Sequence, residues 1–315
     1  MRIVFMGTPS FAIPSLSTLL TEGHDIRAVV TVPDKPQGRG RQIGTSAVKD
    51  YAVSRRIPLL QPVNLSDAAF VERLAALESE LFVVVAFRIL PAVVYSIPPK
   101  GAFNLHASLL PKFRGAAPIN WAIMKGEDET GVTTFLLEER VDTGSIILQK
   151  RTPIGADETA GELAGRLAQI GAQAVAETVH VLDRGGATLT RQNSSLATPA
   201  PKIQRDSCAI KWSAPERDVH NFVRGLSPSP CAWTTFQGKN LRLYRTRRND
   251  EPELSSLGQG QPGEVVLAGK EKLLVRTGDG GAVSVLEIQQ EGKKKMEIAE
   301  FLRGFTIRTG DVMGQ

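Results

Sequence analysis

The 315-residue chain contains only two cysteines, Cys208 and Cys231. That excludes a disulfide framework and the paired spacing of a cysteine zinc site. It also lacks any apolar run near the roughly 20 residues of a membrane span, so a soluble protein is expected. It opens on Arg2-Ile3-Val4-Phe5-Met6-Gly7, without the basic, long apolar and small-residue regions of a secretory signal, and the expected location is the cytoplasm. There is no internal repeat and no low-complexity tract. The glycine fingerprint of dinucleotide binding is missing too: Gly7-Thr8-Pro9-Ser10 puts a proline where a backbone N–H donor is needed. Ser108 lies in no nucleophile elbow and neither cysteine in a recognisable catalytic motif, which argues against a covalent intermediate.

What the chain does have is a globular balance, 42% hydrophobic and 23% charged, in a length that fits two domains. The first half alternates β-rich apolar runs at 3–6, 27–32, 81–86 and 102–106 with helical patterns at 11–21, 45–56 and 66–79. This is the signature of a parallel sheet covered by helices. Within the last helix Asp67 is placed to cap, and Phe70, Leu74 and Leu77 share a face. The run 81–86 is apolar throughout, as a strand buried on both faces should be. Strands at 132–137 and 145–148 and a helix over 158–183, stopped by Gly185-Gly186, complete the half.

Residues 192–206 turn polar and proline-bearing and read as a linker. A helix near 215–225 follows, then short strands at 231–236, 240–247, 263–268, 272–277 and 282–289. Five short strands in about 100 residues suggest a small barrel of the five-stranded nucleic-acid-binding type. The expected division is therefore 1–191, a linker over 192–206, and 207–315. Charge is uneven: residues 201–250 hold ten Lys or Arg against four Asp or Glu, while the whole chain carries only +5, so the remainder is near neutral. A basic segment beside a near-neutral domain suggests a polyanion partner, although a charge run also serves as an ordinary solvated face.

The segment Asn104-Leu105-His106 ends a strand of the first domain, where open α/β sheets bind ligands. Alternation puts Asn104 and His106 on one face, and an amide donor beside an imidazole can hold a carbonyl oxygen that is becoming tetrahedral. The same spacing fits a core Asn and His satisfied by their neighbours. Asp142, in Val141-Asp142-Thr143-Gly144, is by pattern a turn aspartate; it could also be the carboxylate that holds His106 protonated.

Taken together, Gly7-Thr8-Pro9-Ser10-Phe11-Ala12, Asp34-Lys35-Pro36-Gln37-Gly38-Arg39-Gly40, the long run at 104–123 and Val141-Asp142-Thr143-Gly144 make the chain resemble the methionyl-tRNA formyltransferases over nearly its whole length. The resemblance implies a Rossmann-like formyltransferase domain with a mostly parallel sheet over 1–191 and a small OB-like β-barrel over 207–315 that helps hold tRNA. It implies 10-formyltetrahydrofolate as formyl donor, no metal, and methionyl initiator tRNA as acceptor, with neither DNA nor a membrane as partner. By the same resemblance Asn104, His106 and Asp142 take the positions of the catalytic trio. Ser108, Leu109, Leu110 and Pro111, with Phe87, Arg88, Ile89 and Leu90, take those around the folate. The basic segment carrying Lys35, Arg39, Arg41 and Lys49 corresponds to an insertion that contacts the tRNA acceptor end. Arg245 and Arg247, on a strand that also holds Arg242 and Arg248, are expected to add to the tRNA surface, although simple alternation would split them between two faces.

Three departures stand out. Arg88 occupies a position where the family has glycine; it implies either a strained loop or narrowed pocket, or a guanidinium turned toward an acidic part of the folate. Ser10 stands where the family commonly has an acidic residue, and Pro199-Ala200-Pro201-Lys202 lacks the tyrosine often found before that lysine. The alternatives weighed against tRNA formylation are a formyltransferase for a small amine, a non-catalytic RNA-binding protein, and a hydrolase of formylfolate.

Overall fold

The opening apolar run becomes β1 (Arg2–Gly7), and the chain continues through α1 (Ile13–Thr21), β2 (Asp25–Val30), β3 (Lys35–Gln37), β4 (Gln42–Gly44), α2 (Ala47–Ser54), β5 (Leu59–Leu60) and α3 (Ala68–Ala75). It then forms β6 (Leu81–Val85), α4 (Ala92–Tyr95), β7 (Ala102–His106), α5 (Pro118–Met124), β8 (Glu129–Leu136), β9 (Ile146–Pro153) and α6 (Ala160–Asp183). The computed structural model describes residues 1–37, 42–248 and 260–314. These fall into two compact units, one of Met1–Pro118, Thr130–Thr152 and Ala164–Ala200, the other of Ile119–Glu129, Pro153–Leu163 and Pro201–Gln315.

In the first unit seven strands form one sheet in the order β5-β2-β1-β6-β7-β8-β9. Strands β5, β2, β1, β6 and β7 run parallel, and β8 returns antiparallel to β7 with His106 opposite Thr133 and Asn104 opposite Phe135. β6 is buried at every position, which is why it reads as an unbroken apolar run rather than an alternating one. Side chains alternate across the sheet: Val4, Met6, Val30, Phe82 and Val84 join Phe70, Leu74 and Val94 in a single cluster. Asp67 caps α3 as its sequence suggests, its carboxylate accepting from the Phe70 N–H at 3.0 Å. Two elements within 34–49 lie in what reads as a loop: β3 and β4 pair antiparallel, Lys35 opposite Gly44.

Residues 192–200, which read as the start of a linker, are instead knitted into this unit. Arg114 N–H donates to the Thr198 carbonyl (2.9 Å), Ala200 N–H donates to the Arg114 carbonyl (2.7 Å), and Ala200 is fully buried. Gly115, at φ +129, allows this approach, since a Cβ there would lie 2.5 Å from the Ala200 carbonyl oxygen.

The second unit holds α7 (Glu216–Leu226), β10 (Ala232–Phe236), β11 (Lys239–Arg248), β12 (Val265–Ala268), β13 (Leu273–Arg276), β14 (Ala282–Gln290), β15 (Met296–Glu297) and α8 (Ile298–Gly304). Its sheet is antiparallel, ordered β10-β11-β14-β13-β12 with β15 beside β14, and this pairing path is open rather than closed on itself among the described residues. Val219, Val223 and Leu226 of α7 pack with Leu241, Leu243, Val283, Val285 and Phe301 into its core. The turn Gln237-Gly238 has φ +49 and +71, the paired positive values of a type I′ hairpin joining β10 to β11.

Along β11 the expected split of the arginines does not occur. The ladder to β14 shifts register between Leu243 and Arg245 and again between Arg245 and Thr246. The buried positions are therefore Leu241, Leu243 and Thr246, and Arg242, Arg245, Arg247 and Arg248 all stay out of the core. The first shift leaves an extra residue in β11 and the second an extra residue in β14, and the one in β11 breaks its period of two.

Candidate active site

Because β7 runs parallel to its neighbours on one side, His106 at its last position stands at the carboxyl end of the sheet. Asn104, two residues earlier, is half-buried; His106 is 6% exposed. Asp142 reaches the same place from the turn between β8 and β9. Its φ is +55, a left-handed conformation that Asp tolerates better than most residues. Gly144 makes the turn possible, since a Cβ there would fall 1.7 Å from the Leu136 carbonyl oxygen.

His106 Nδ1 lies 3.8 Å from Asp142 Oδ2, beyond a direct hydrogen bond and within ion-pair range, and both side chains are at least nine-tenths buried. On the other edge of the ring Nε2 is 2.8 Å from the Phe113 carbonyl. A carbonyl can only accept, so Nε2 carries a hydrogen. In the neutral ring Nδ1 would then turn a lone pair toward the carboxylate; only the imidazolium has a hydrogen to offer on both sides. Asp142 Oδ2 also accepts from the Gly115 N–H at 2.9 Å. The turn itself is held by Gln192, whose Nε2 donates to the carbonyls of Asp142 (3.0 Å) and Gly144 (2.8 Å), while its Oε1 accepts from the Arg114 guanidinium at 2.6 and 3.2 Å. Asn104 is different: its Oδ1 is buried without a partner. Leaving such an oxygen unmet costs about 1–3 kcal/mol, so the carboxamide has an acceptor to offer at the carboxyl end of β7. Among the described residues no third His, Cys, Asp or Glu joins His106 and Asp142 as a metal-ligand set.

The segment after β7 is fixed by its own polar groups. Ser108 Oγ donates to the Lys112 carbonyl (2.7 Å); Thr133 Oγ1 donates to the Ser108 carbonyl (2.7 Å) and accepts from the Leu110 N–H (3.1 Å); Gln149 Nε2 donates to the Leu110 carbonyl (2.9 Å). The Leu110–Pro111 peptide is cis. Ser108 and Leu110 are buried, so Leu109 and Pro111, both partly exposed, present the apolar surface of this segment. Phe87 is half-buried, Ile89 exposed and Leu90 buried.

Arg88 resolves neither in the strained nor in the folate-facing way. The positive φ of its loop falls at Ala86 (+48), and the guanidinium donates to the carbonyls of Pro62 (2.7 Å) and Val63 (3.0 Å). Its charge is partly desolvated there, which lowers its proton affinity from the ordinary guanidinium value. Both carbonyls belong to the border of an open cleft of about 450 Å³ that also includes Gln61, Asp67 and Arg73 and contains none of the trio.

Of the basic residues, Lys35 is exposed, while Arg39 and Arg41 lie outside the described residues. Lys49 is not a free cation: its Nζ is bound to Asp34, which also accepts from Gln61 Nε2 at 2.9 Å. The Lys49 hydrogen bond, followed by that of Gln61, holds the Asp34 carboxyl below its usual range. Arg245 donates to Glu162 at 2.5 Å, and Arg247, two-thirds exposed, stands 4.0 Å from Asp157. The supporting residues Gln192, Thr133 and Gln149 escape sequence reasoning, for each is an ordinary polar residue in an unremarkable stretch. Arg114, in contrast, sits within the run at 104–123 that carries the resemblance.

Family models for the formyl transferase domain and the formyl transferase C-terminal domain match residues 1–179 and 202–306, in that order. The methionyl-tRNA formyltransferase of Chlorobium phaeovibrioides is 43% identical over 317 aligned positions, covering 100% of this chain and 98% of that protein. That of Porphyromonas gingivalis is 44% identical, covering 98% and 96%. Among solved structures, an N-formyltransferase from Helicobacter canadensis, in complex with folinic acid and dTDP-3-aminofucose, superposes with a TM-score of 0.69 at 18% identity, over 90% of this chain and 98% of that one. HypX from Aquifex aeolicus, in complex with tetrahydrofolic acid, gives 0.67 at 20% identity, over 98% of this chain and 50% of that one. The structures speak for the fold alone; the two domain models in sequence, and the identity over the full length of the relatives, establish that the chain belongs to the formyl transferase family, among its methionyl-tRNA formyltransferases.

Proposed function

We propose that this chain transfers the formyl group of 10-formyltetrahydrofolate to the free α-amino group of methionyl initiator tRNA, for the initiation of protein synthesis in the cytoplasm. The observation that carries this reading is the identity of 43% with a methionyl-tRNA formyltransferase along the entire chain, both matched domains included.

The donor supplies a formyl carbon bonded to N10, which a neutral amine can attack. One C–N bond forms, the bond to N10 breaks, and a proton passes from the amine to the departing nitrogen. Asn104 fits this chemistry because its carboxamide is buried yet unmet: Nδ2 can donate to the oxygen that gains charge, and the orphaned Oδ1 can accept an amine hydrogen. His106 stands beside Asp142, and an imidazolium in that position would add positive potential at the same oxygen. Its Nε2–H must be shared with or released from the Phe113 carbonyl to donate directly. Asp142, anchored through Gly115 and Gln192, holds the ring and assists proton removal from the amine. Leu109 and Pro111, with Phe87 and Ile89, offer apolar surface to the pterin end, and the buried Ser108, Leu110 and Leu90 support it.

For the acceptor, Lys35, Arg39, Arg41 and Arg247 contact phosphates, and Lys49, paired with Asp34, and Arg245, paired with Glu162, contribute least. The test is formyl transfer from 10-formyltetrahydrofolate to charged initiator tRNA, beside charged elongator tRNA and a small amine. Preferential formylation of the initiator supports the reading; efficient formylation of the small amine with neither tRNA used overturns it.

A further inference from the structure

The end of the sheet opposite His106 carries a second cluster of polar side chains, all within the first unit. Glu22 caps the C-terminus of α1, His24 lies in the turn that leads into β2, and His180 sits in the last turn of α6. Parallel β1 and β2 begin here, with Arg2 opposite Asp25, whereas the Asn104–His106 pair stands where β7 ends. Two of the four histidines of the chain therefore meet at a place that formyl transfer does not use.

Their geometry does not suit ordinary hydrogen bonding. Both Nε2 atoms are directed at the same carboxylate oxygen, Glu22 Oε2, at 3.6 Å from His24 and 3.3 Å from His180. The former distance is too long for a hydrogen bond, and His24 Nε2, on a side chain only 9% exposed, is buried without a hydrogen-bond partner. A buried ring nitrogen aimed at a carboxylate and a second imidazole, yet bonded to neither, is an unmet polar group. All three ligand atoms lie within 4.8 Å of one another. Ligands bound at about 2.0–2.1 Å in a tetrahedral shell stand about 3.4 Å apart, close to both measured separations. Two imidazoles and one carboxylate are also the donor set that zinc accepts when a water completes the shell.

We propose that Glu22, His24 and His180 form a binding site for one divalent transition-metal ion, Zn²⁺ being the best match, which fastens the α1–β2 turn to the C-terminal turn of α6. A metal needs the neutral imidazole. Burial first, then the N-terminal ammonium and His180, lower the proton affinity of His24 against the opposing pull of Glu22 and Asp183. Lys100 already binds the same helix end through the Leu182 and Asp183 carbonyls and the Asp183 carboxylate, so the ion would reinforce an existing anchor. It would stabilise the fold rather than take part in formyl transfer, since it stands at the opposite end of the sheet from His106.

The test uses the full chain, free of any affinity tag and stripped with a chelator, titrated with ZnCl₂ in competition with a chromophoric chelator. The expected result is one Zn²⁺ per chain and a rise in thermal midpoint with added zinc. His180→Ala, at a half-exposed position, and Glu22→Gln, which keeps the side-chain shape, should each weaken binding about a hundredfold and remove the thermal shift while leaving the zinc-free midpoint nearly unchanged. Co²⁺ in place of zinc should give the intense visible absorption of a four-coordinate site in the parent chain and not in either variant. Absence of stoichiometric zinc binding overturns the proposal. So does binding that survives both substitutions, because the metal would then sit elsewhere, for instance at His106 and Asp142.

Discussion

His106 and Asp142 are each less than a tenth exposed and gripped by backbone groups, whereas Arg247 and Arg248 are half or more exposed and meet single carboxylates at 4.0 and 3.2 Å. In the first region hydrogen bonds tie the groups around the turn to one another: Gly115 to Asp142, Gln192 to Asp142 and Gly144, Arg114 to Gln192, Phe113 to His106. Asn104 Oδ1, by contrast, is buried without a hydrogen-bond partner, and a substrate group is expected there. In the second region the cations are tethered loosely, by pairs worth about 0–1 kcal/mol each. The contrast fits the tasks proposed for the two regions. Bond-making loses its advantage with a misplacement of about 1 Å, so its groups are locked. Phosphate recognition spreads over many additive contacts and needs only local positive charge, so its groups can remain solvated.

This contrast predicts that single substitutions in the two regions differ by orders of magnitude. Asp142→Asn is the cleanest probe, because Asn keeps an acceptor for the Gly115 N–H and tolerates φ +55 as well as Asp does. The expected outcome is a loss of about 10²–10⁴-fold in kcat with little change in thermal midpoint. Asn104→Ala and His106→Ala should fall in the same range. Near-parent turnover in any of the three, measured under saturating donor, removes that residue from the trio.

The scaffold beneath the trio gives the next effect. Gly144→Ala would drive a Cβ into the Leu136 carbonyl, a backbone atom that cannot swing aside. The expected cost is about 3 kcal/mol or more, read as a lowered denaturant midpoint, together with a fall in kcat as Asp142 leaves its place. A variant with parent stability would show that the turn has slack, and the contrast between locked and loose regions would weaken.

Much of the locked region was legible beforehand because its strands are apolar and its motif residues compact. β7 falls at 102–106 as its pattern indicates, Asp67 caps α3, and Asp142 is indeed a turn residue whose carboxylate nevertheless reaches His106. The ties that hold Asp142 were not legible. Gln192 acts across 48 and 50 residues of sequence, and no local pattern records such a partner. Short elements were also missed: α4, α5 and α8 have four to seven residues, too few for a helical period to emerge. Along β11 the sequence shows a regular alternation, but two register shifts move Arg245 and Arg247 away from the face it assigns them. The contacts of Arg88 are hidden from the sequence for a related reason, since its guanidinium donates to carbonyls 25 and 26 residues away.

The smallest effect, and the sharpest use of the contrast, lies within the basic segment itself. By sequence Lys35, Arg39, Arg41 and Lys49 are equivalent positive charges; in the structure Lys35 is exposed and Lys49 is bound to Asp34. A cation already compensated by a carboxylate displaces few counterions when a phosphate approaches, so Lys49→Ala should leave the salt dependence of tRNA binding almost unchanged. Lys35→Ala and Arg39→Ala should each make the slope of log affinity against log salt shallower by about 1, provided each meets one phosphate. Folate affinity should not respond to any of them. Asp34→Asn completes the set, for it frees Lys49 and should steepen the slope toward that of one additional phosphate contact. These slopes come from tRNA binding measured at several salt concentrations. If Lys49→Ala flattens the slope as much as Lys35→Ala does, the Asp34 pair opens on binding, and this side of the molecule is recognised by rearrangement rather than by charges already exposed.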